Sequence, residues 1–317
     1  MSRLSTTLSR IFGSRERVAK PVETTELGMT VKSEQAFCQE YARDLYTGAG
    51  EIADLGCWMG ATTISFSRGL SGNDAVPQEK RKKRIHSYDL FRWHPTMDCE
   101  VEGSPIEGKY REGDDFFPDF EMRTAPWTEY FTVRRGDLND FPWTGGPIEM
   151  LFVDAMKWPS TAATIVQRFY PHLIPGVSLV AHQDFAHFYT GWIHLIQYRL
   201  RDYFEVFRDV ERSATVVFRL TKPIPPELLT QDCFLEHTDL EEIAAAFDYS
   251  ASLVCPDKEE RIAATRAMAH LHRGEPDLAE QVMNAFVWAN IAQYRFRKQR
   301  PDMIDVRREF EERKAQR

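Results

Sequence analysis

The chain has 317 residues, of which 43% are hydrophobic, and it carries a formal net charge of -8 at neutral pH. This acidic balance disfavours a nucleic-acid partner, because phosphate binding needs a basic surface, and no stretch approaches the roughly 20 apolar residues of a membrane helix. The five cysteines form no CxxC pair, which argues against a disulfide framework or a zinc ribbon and favours the reducing cytoplasm. The chain opens with residues 1–32, which we expect to be a flexible N-terminal segment.

Strand and helix signals alternate from residue 33 to about residue 220. Apolar spacing predicts a helix at 33–46, and the run EIADL (51–55) predicts a buried strand that turns into the helix ATTISFSRGL. The remaining strands are predicted at 84–91, 131–138, 148–155, 177–185, 204–210 and 213–220, and further helices at 159–173 and 191–203. This order predicts an α/β fold with a Rossmann-like, doubly wound, mostly parallel sheet and an antiparallel C-terminal edge strand.

The sequence changes character near residue 225. From Thr238 to the end only helical patterns occur, so residues 226–317 are predicted to form a C-terminal helical appendage. We expect these helices to pack on the sheet domain or on a second subunit. A homo-oligomer therefore stays open at this point.

The turn DLGCWMGATT, between the first strand and its helix, indicates a ligand site. In a doubly wound sheet, ligands bind beyond the carboxyl ends of the strands. Gly56 and Gly60 permit positive φ and close approach of a ligand to the backbone. Asp54 ends the strand, where its carboxylate can attract a cationic group directly or through water. A dinucleotide is disfavoured, since its pyrophosphate would be repelled and the first GxG pair of its fingerprint is missing.

Two more acids follow the next two strands. Asp89 can accept hydrogen bonds from both hydroxyls of a ribose, and Asp137 is placed to meet an adenine amine. Aspartate is common at strand ends as a turn cap, but acids after three successive strands favour one shared ligand. With a cationic group held at Asp54, this pattern predicts S-adenosylmethionine.

The segments DLGCWMGATT, HSYDLF, RRGDL and LFVDA resemble class I S-adenosylmethionine-dependent methyltransferases. Within that class, VDAMKWPSTAATIVQRFYPHLIPG followed by SLVAHQDF is similar to the macrocin O-methyltransferase group, which methylates sugar hydroxyls on natural products, and also resembles catechol O-methyltransferase. The resemblance implies that residues 33–225 form a methyltransferase domain. The implied reaction transfers a methyl group from S-adenosylmethionine to a hydroxyl of a small molecule, such as a sugar or glycosylated metabolite.

Methyl transfer to an alcohol requires alignment of the hydroxyl and a place for its proton. Metal-dependent relatives hold magnesium with an acid after the fourth strand and an acidic or amide pair after the fifth. On this resemblance Asp154, Gln183 and Asp184 could hold a divalent cation. Otherwise His182 is a general base and no metal is needed. Lys157 is a further candidate base, since it lies where catechol O-methyltransferase carries its catalytic lysine.

Two other functions stay open. A relative of the cephalosporin hydroxylase group would share the same binding turn, and its products would distinguish it. A non-catalytic protein that senses S-adenosylmethionine, or acts as a scaffold through its helical tail, would bind the cofactor without turnover. Resemblance of fold does not decide between them, because function depends on the site.

Overall fold

The computed structural model describes residues 26–294 and 301–315, so residues 1–25 of the predicted N-terminal segment lie outside the described residues. Within these ranges, seven strands form one sheet in the order β3-β2-β1-β4-β5-β7-β6. The strands are β1 (Glu51–Leu55), β2 (Ile85–Asp89), β3 (Phe131–Arg135), β4 (Ile148–Val153), β5 (Leu179–His182), β6 (Phe204–Asp209) and β7 (Val216–Leu220). β1 to β5 pair in parallel, whereas β7 is antiparallel to both β5 and β6. The predicted doubly wound sheet with an antiparallel strand at its C-terminal edge is confirmed.

The part of the chain that the structure describes contains ten α-helices. They are α1 (Lys32–Glu40), α2 (Ala61–Ser71), α3 (Phe117–Thr124), α4 (Pro159–Phe169), α5 (Gly191–Arg199), α6 (Pro226–Leu229), α7 (Leu240–Ser252), α8 (Pro256–His272), α9 (Pro276–Tyr294) and α10 (Pro301–Ala315). Of these, α9 and α10 pack on α8. A π-helical turn, Tyr41–Leu45, continues α1. The two together account for the helix predicted at 33–46.

The central strand β4 shows why the sheet is covered on both faces. All six of its residues are buried. Leu151 and Val153 join one hydrophobic core, while Met150 and Phe152 join the other, because successive side chains of a strand point to opposite faces. One core lies beneath α1 and α2, and the other beneath α4, α5, α7 and α8. A strand that is buried on both faces needs a continuous apolar run, and this run allowed β4 to be predicted from the sequence.

The described helices of the C-terminal region pack on the sheet domain. Side chains of α7 and α8 belong to the same core as those of α4 and α5. Lys258 on α8 is buried, pairs with the carboxylate of Asp209, and donates to the carbonyl oxygens of Val210 (2.9 Å) and Thr215 (2.8 Å). These contacts attach α8 to the β6–β7 hairpin. The domain boundaries at residues 33, 225 and 226 stay predictions.

Two general features bear on the environment of the protein. Within residues 26–294 and 301–315, no helix combines the length and apolar character that a membrane span requires. The five cysteines are free thiols, three of them buried.

Candidate active site

A cavity of about 320 Å³ opens at the carboxyl ends of β1 to β4. The strand order reverses between β1 and β4, and such a reversal is where a doubly wound sheet binds its ligand. Five residues predicted from the sequence line this cavity, namely Gly56, Asp89, Asp137, Asp154 and Lys157. Its volume lies within the range of small-molecule sites, about 300 to 1,000 Å³. The fold therefore brings residues from four separate turns to one place.

The two glycines of the first turn serve different contacts. Gly56 has φ +87°, and a Cβ atom there would lie 2.5 Å from the carbonyl oxygen of Asp154. Gly60 has φ +88° and immediately precedes α2, where a Cβ atom would lie 2.7 Å from the methyl group of Thr124. Only Gly56 is on the cavity wall. Gly60 instead lets α2 pack against α3.

Asp54 is fully buried at the end of β1 and does not line the cavity. Its carboxylate accepts hydrogen bonds from the hydroxyls of Thr62 (2.8 and 2.9 Å) and Thr63 (2.6 Å), both in the first turn of α2. Burial raises the pKa of Asp54 to about 6, although the threonine hydroxyls oppose the rise. The structure thus places Asp54 where it ties β1 to α2, and not in contact with the cavity.

Asp89 and Asp137 line the cavity at the carboxyl ends of β2 and β3. The carboxylate of Asp89 accepts the backbone N–H of Trp58 on one oxygen (2.8 Å) and that of Phe91 on the other (2.7 Å). Burial raises its pKa, while these backbone donors act to lower it. Asp137 is exposed, and one of its oxygens accepts both the backbone and the side-chain N–H of Asn139, each at 2.8 Å. Each carboxylate keeps free lone pairs with which to accept ligand hydroxyl or amine groups.

The structure adds Trp58 and Leu90, which were not assigned to the site from the sequence, and it also places Trp158, a candidate for lining the acceptor pocket, at the cavity. Trp58 is 5% exposed with φ +41°, and among the described residues its buried indole N–H has no partner. Leu90 and Trp158 expose apolar surface at the cavity, as 56% and 61% of each residue is accessible. Trp58 and Leu90 lie within the segments DLGCWMGATT and HSYDLF, but neither is charged and neither was singled out there. The sequence around them does not distinguish a residue that lines a cavity from one that packs in the core.

A cluster of acids around Lys157 occupies the ends of β4 and β5. The ammonium of Lys157 lies 2.7 Å from Asp154 Oδ1 and 2.5 Å from Asp184 Oδ2. With its amide nitrogen turned toward the acids, Gln183 donates to Asp184 Oδ1 (2.8 Å) and Asp154 Oδ1 (3.2 Å). The structure therefore brings together four residues that the sequence assigned to catalysis or to a metal.

The charges in this cluster are strongly coupled. Burial raises the pKa of Asp154 to about 7, although Lys157 opposes the rise. For Asp184, burial also acts upward, but Lys157 and His187 outweigh it and the pKa lies below its usual range. Burial acts to lower the pKa of Lys157, yet the two carboxylates prevail and hold it above the ordinary lysine value. Lys157 is therefore charged at neutral pH, and the pKa values of the two carboxyls are displaced in opposite directions, that of Asp154 upward and that of Asp184 downward.

His182 lies apart from this cluster, in the core beneath α4 and α5. It is 1% exposed, its Nε2 is 3.2 Å from the hydroxyl of Tyr170, and its ring packs on Phe218 at 6.0 Å. Burial lowers the pKa of His182 to about 4, so the imidazole is neutral at physiological pH. It does not line the cavity. This placement does not favour the hypothesis that His182 is a general base.

The donor groups do not fit the magnesium alternative. In the part of the chain that the structure describes, no group of three or more His, Cys, Asp or Glu side chains is arranged to hold a metal. The position between Asp154 and Asp184 is filled by the ammonium of Lys157. The amide of Gln183 satisfies its neighbours by presenting its nitrogen to them, whereas a hard cation requires its oxygen.

Comparison with known proteins gives matches to solved structures alone. No family model matches the sequence, and no curated protein sequence matches it. The structure of the O-methyltransferase NovP covers 62% of this chain and 83% of its own, with 14% identity and a TM-score of 0.48. A putative rRNA-methylase from Clostridium thermocellum covers 62% and 100%, with 11% identity and a TM-score of 0.35. PigF with SAH covers 58% and 61%, with 13% identity and a TM-score of 0.34. Two of these three structures are named as a methyltransferase or a methylase and the third is a complex with SAH; at this level of similarity they identify no substrate for this chain.

Proposed function

We propose that this protein is an S-adenosylmethionine-dependent O-methyltransferase that acts on a hydroxyl of a small molecule. The observation that carries the proposal is the arrangement around one cavity at the strand-order reversal. A carboxylate held by two backbone N–H groups, Asp89, stands on one side, and the Asp154–Lys157 pair stands on the other. The first suits a ribose, and the second suits proton transfer from an alcohol.

The cavity wall offers groups that match the parts of S-adenosylmethionine. Asp89 would accept the ribose hydroxyls, Asp137 the adenine amine, and Gly56 would let the ligand approach the backbone. The unpartnered indole N–H of Trp58 is a further donor beside Asp89. Leu90 offers apolar surface for the adenine ring. When bound, the cofactor supplies an activated methyl group and a good leaving group.

The residues at the ends of β4 and β5 carry the proton chemistry in this proposal. Asp154 would accept the proton of the acceptor hydroxyl, because its pKa of about 7 suits a general base near neutral pH. Lys157, whose side chain is about half exposed, stays protonated and would orient the hydroxyl with its ammonium. Turnover should then rise with pH through about 7, as Asp154 loses its proton. His182 has no part in this scheme.

For the acceptor we propose a sugar or a glycosylated metabolite. The exposed indole of Trp158 stands beside Lys157 at the cavity. A flat, half-apolar aromatic surface of this kind can pack on the C–H face of a sugar ring while leaving the sugar hydroxyls in water. The free thiols support our expectation that the protein works in the reducing cytoplasm.

The test is calorimetric titration of S-adenosylmethionine and S-adenosylhomocysteine into the purified chain, followed by mass spectrometry of a panel of sugars and glycosides. We expect micromolar binding and a methylated product. Asp89→Asn should weaken binding, whereas Glu205→Gln, in an exposed ion pair on the edge strand β6, should leave it unchanged. Absence of binding by the wild-type chain contradicts the proposal.

Other results of the same experiment correspond to the alternative functions. Cofactor binding without any methylated product would favour the sensor or scaffold. A hydroxylated product would favour the cephalosporin-hydroxylase-like enzyme. Binding and product are scored separately, so each alternative has its own signature.

A further inference from the structure

The cluster at the ends of β4 and β5 has the composition of a divalent-cation site, but an ammonium stands at its centre. Asp154, Gln183 and Asp184 are oxygen-bearing side chains of the kind that binds magnesium or manganese. The Lys157 ammonium is within 2.7 Å of one carboxylate and 2.5 Å of the other. It therefore fills the position in which an ion would touch both acids.

The surroundings of the cluster explain why a cation is needed there. The side chains of Asp154 and Asp184 are 8% and 6% exposed. Glu34 is a third buried acid whose charge acts on both of them, and it is held by the hydroxyl of Thr215 at 2.5 Å and the backbone N–H of Val31 at 2.8 Å. Adjacent buried carboxylates without a counter-charge are costly. The positive charge of Lys157 between the two carboxylates offsets this cost.

A second lysine pair shows what distinguishes the cluster. Lys109 pairs with Asp119 at 2.6 Å, with the lysine side chain 48% exposed and the acid 5% exposed. The Lys157 side chain is likewise 48% exposed. The two pairs match in exposure, but Lys109 faces one carboxylate and Lys157 faces two. The Lys109 pair is thus a matched reference for removal of a lysine.

We propose that Lys157 is a built-in cation that holds Asp154 and Asp184 in place of a divalent metal, so that the site works without one. Removal of its ammonium leaves two carboxylates and an amide that can rotate to present its oxygen. These groups then form a binding site for Mn²⁺ or Mg²⁺. The role of the cation in catalysis rests on the proposed function, whereas the exchange of ammonium for metal does not.

The test is a titration of the full chain with Mn²⁺, after treatment with chelator, with free Mn²⁺ measured by electron paramagnetic resonance. Wild type, Lys157→Ala and Lys109→Ala are compared. We expect Lys157→Ala to bind one Mn²⁺ per chain, about tenfold or more tightly than the other two. The double variant with Asp184→Asn should lose this binding, because one of the two carboxylates is then neutral.

The outcomes separate this inference from the proposed function. Equal Mn²⁺ binding by wild type and Lys157→Ala overturns it, as does a wild-type enzyme whose turnover disappears with chelator. If Lys157→Ala does not fold, Lys157→Asn is tested in the same way, and an increase in thermal stability with Mn²⁺ that is confined to the variant supports the inference. A chain that shows this exchange but binds no S-adenosylmethionine contradicts the proposed function alone.

Discussion

The strand ends around the cavity fall into two halves that satisfy their carboxylates in different ways; Asp89 and Asp154 line the cavity, whereas Asp54 and Asp184 do not. At the ends of β1 and β2, Asp54 and Asp89 are held by neutral donors, two threonine hydroxyls and two backbone N–H groups. At the ends of β4 and β5, Asp154 and Asp184 share the ammonium of Lys157. Neutral donors orient a carboxylate and leave its charge available, while an ammonium cancels it. In the proposed function the first half would recognise the ligand, and the second would manage protons and charge.

We expect the largest effect on turnover when the positive charge of Lys157, at the ends of β4 and β5, is removed. Lys157→Ala should lower turnover by about 100-fold or more, because Asp154 loses the cation that positions it. Cofactor affinity should stay within about threefold, since the recognition half is untouched. Initial rates with an identified acceptor, measured in chelator, and calorimetry with S-adenosylhomocysteine check the two parts. A loss of affinity as large as the loss of turnover would abolish the distinction between the halves, and Lys109→Ala is the control.

The next effect concerns the pH dependence of stability and originates in the first half. The folded-state pKa of Asp54 is about 6, raised by burial from 3.8, so the folded state binds this proton more tightly than the unfolded state does. Its contribution to stability is therefore present at low pH and is lost as pH rises through about 6. This increase of about 2 units in the pKa of Asp54 corresponds to about 3 kcal/mol in the free energy of unfolding.

Asp54→Asn removes that titration. The difference in free energy of unfolding between wild type and variant should change by about 2 kcal/mol between pH 4 and 7, with wild type relatively more stable at the acid end. Urea unfolding across this range measures it. Asp98→Asn is the control, because Asp98 accepts from the indole of Trp93 and does not line the cavity. Parallel pH profiles for wild type and Asp54→Asn would contradict the assignment.

A smaller effect is expected at the acid that faces the ligand. Asp89→Asn should weaken S-adenosylhomocysteine binding about tenfold, since a charged acceptor of ribose hydroxyls becomes a neutral one. Turnover at saturating cofactor should change little, because the proton chemistry lies at Asp154. Calorimetry gives the affinity, and rates at saturation give the second quantity. If Asp89→Asn bound S-adenosylhomocysteine normally but turned over slowly, Asp89 would act in the proton chemistry and not in cofactor recognition.

The sequence predicted the sheet well because its signals are local. The apolar run at β4 and the strand-glycine-helix turn at Gly56 are contiguous patterns, and parallel strands bring their carboxyl ends together. Asp89, Asp154 and Lys157 could therefore be assigned to one cavity from their positions after strands. Their positions along the chain were enough to predict that these residues lie close together.

Side-chain direction could not be predicted in the same way. His182 ends β5 on the same face as Val180 two residues earlier, and this face packs into the core beneath α4 and α5. A shift of one residue would have directed it to the other face. Asp54 has both oxygens occupied by α2, and Lys157 bridges two turns that are distant in sequence. These outcomes depend on tertiary contacts that no short motif records.

The smallest effect should separate two acids within the recognition half. Asp137 is exposed, and Asn139 already occupies one of its oxygens. Water competes at such a position, so Asp137→Asn should weaken S-adenosylhomocysteine binding only about threefold, compared with about tenfold for Asp89→Asn. Calorimetry of both variants in one buffer measures the ratio. Burial strengthens a charged hydrogen bond, so Asp89 should matter more than Asp137. If Asp137→Asn lost more S-adenosylhomocysteine affinity than Asp89→Asn, the ligand would contact the end of β3 more closely than the end of β2. The assignment of the ribose to Asp89 would then be wrong.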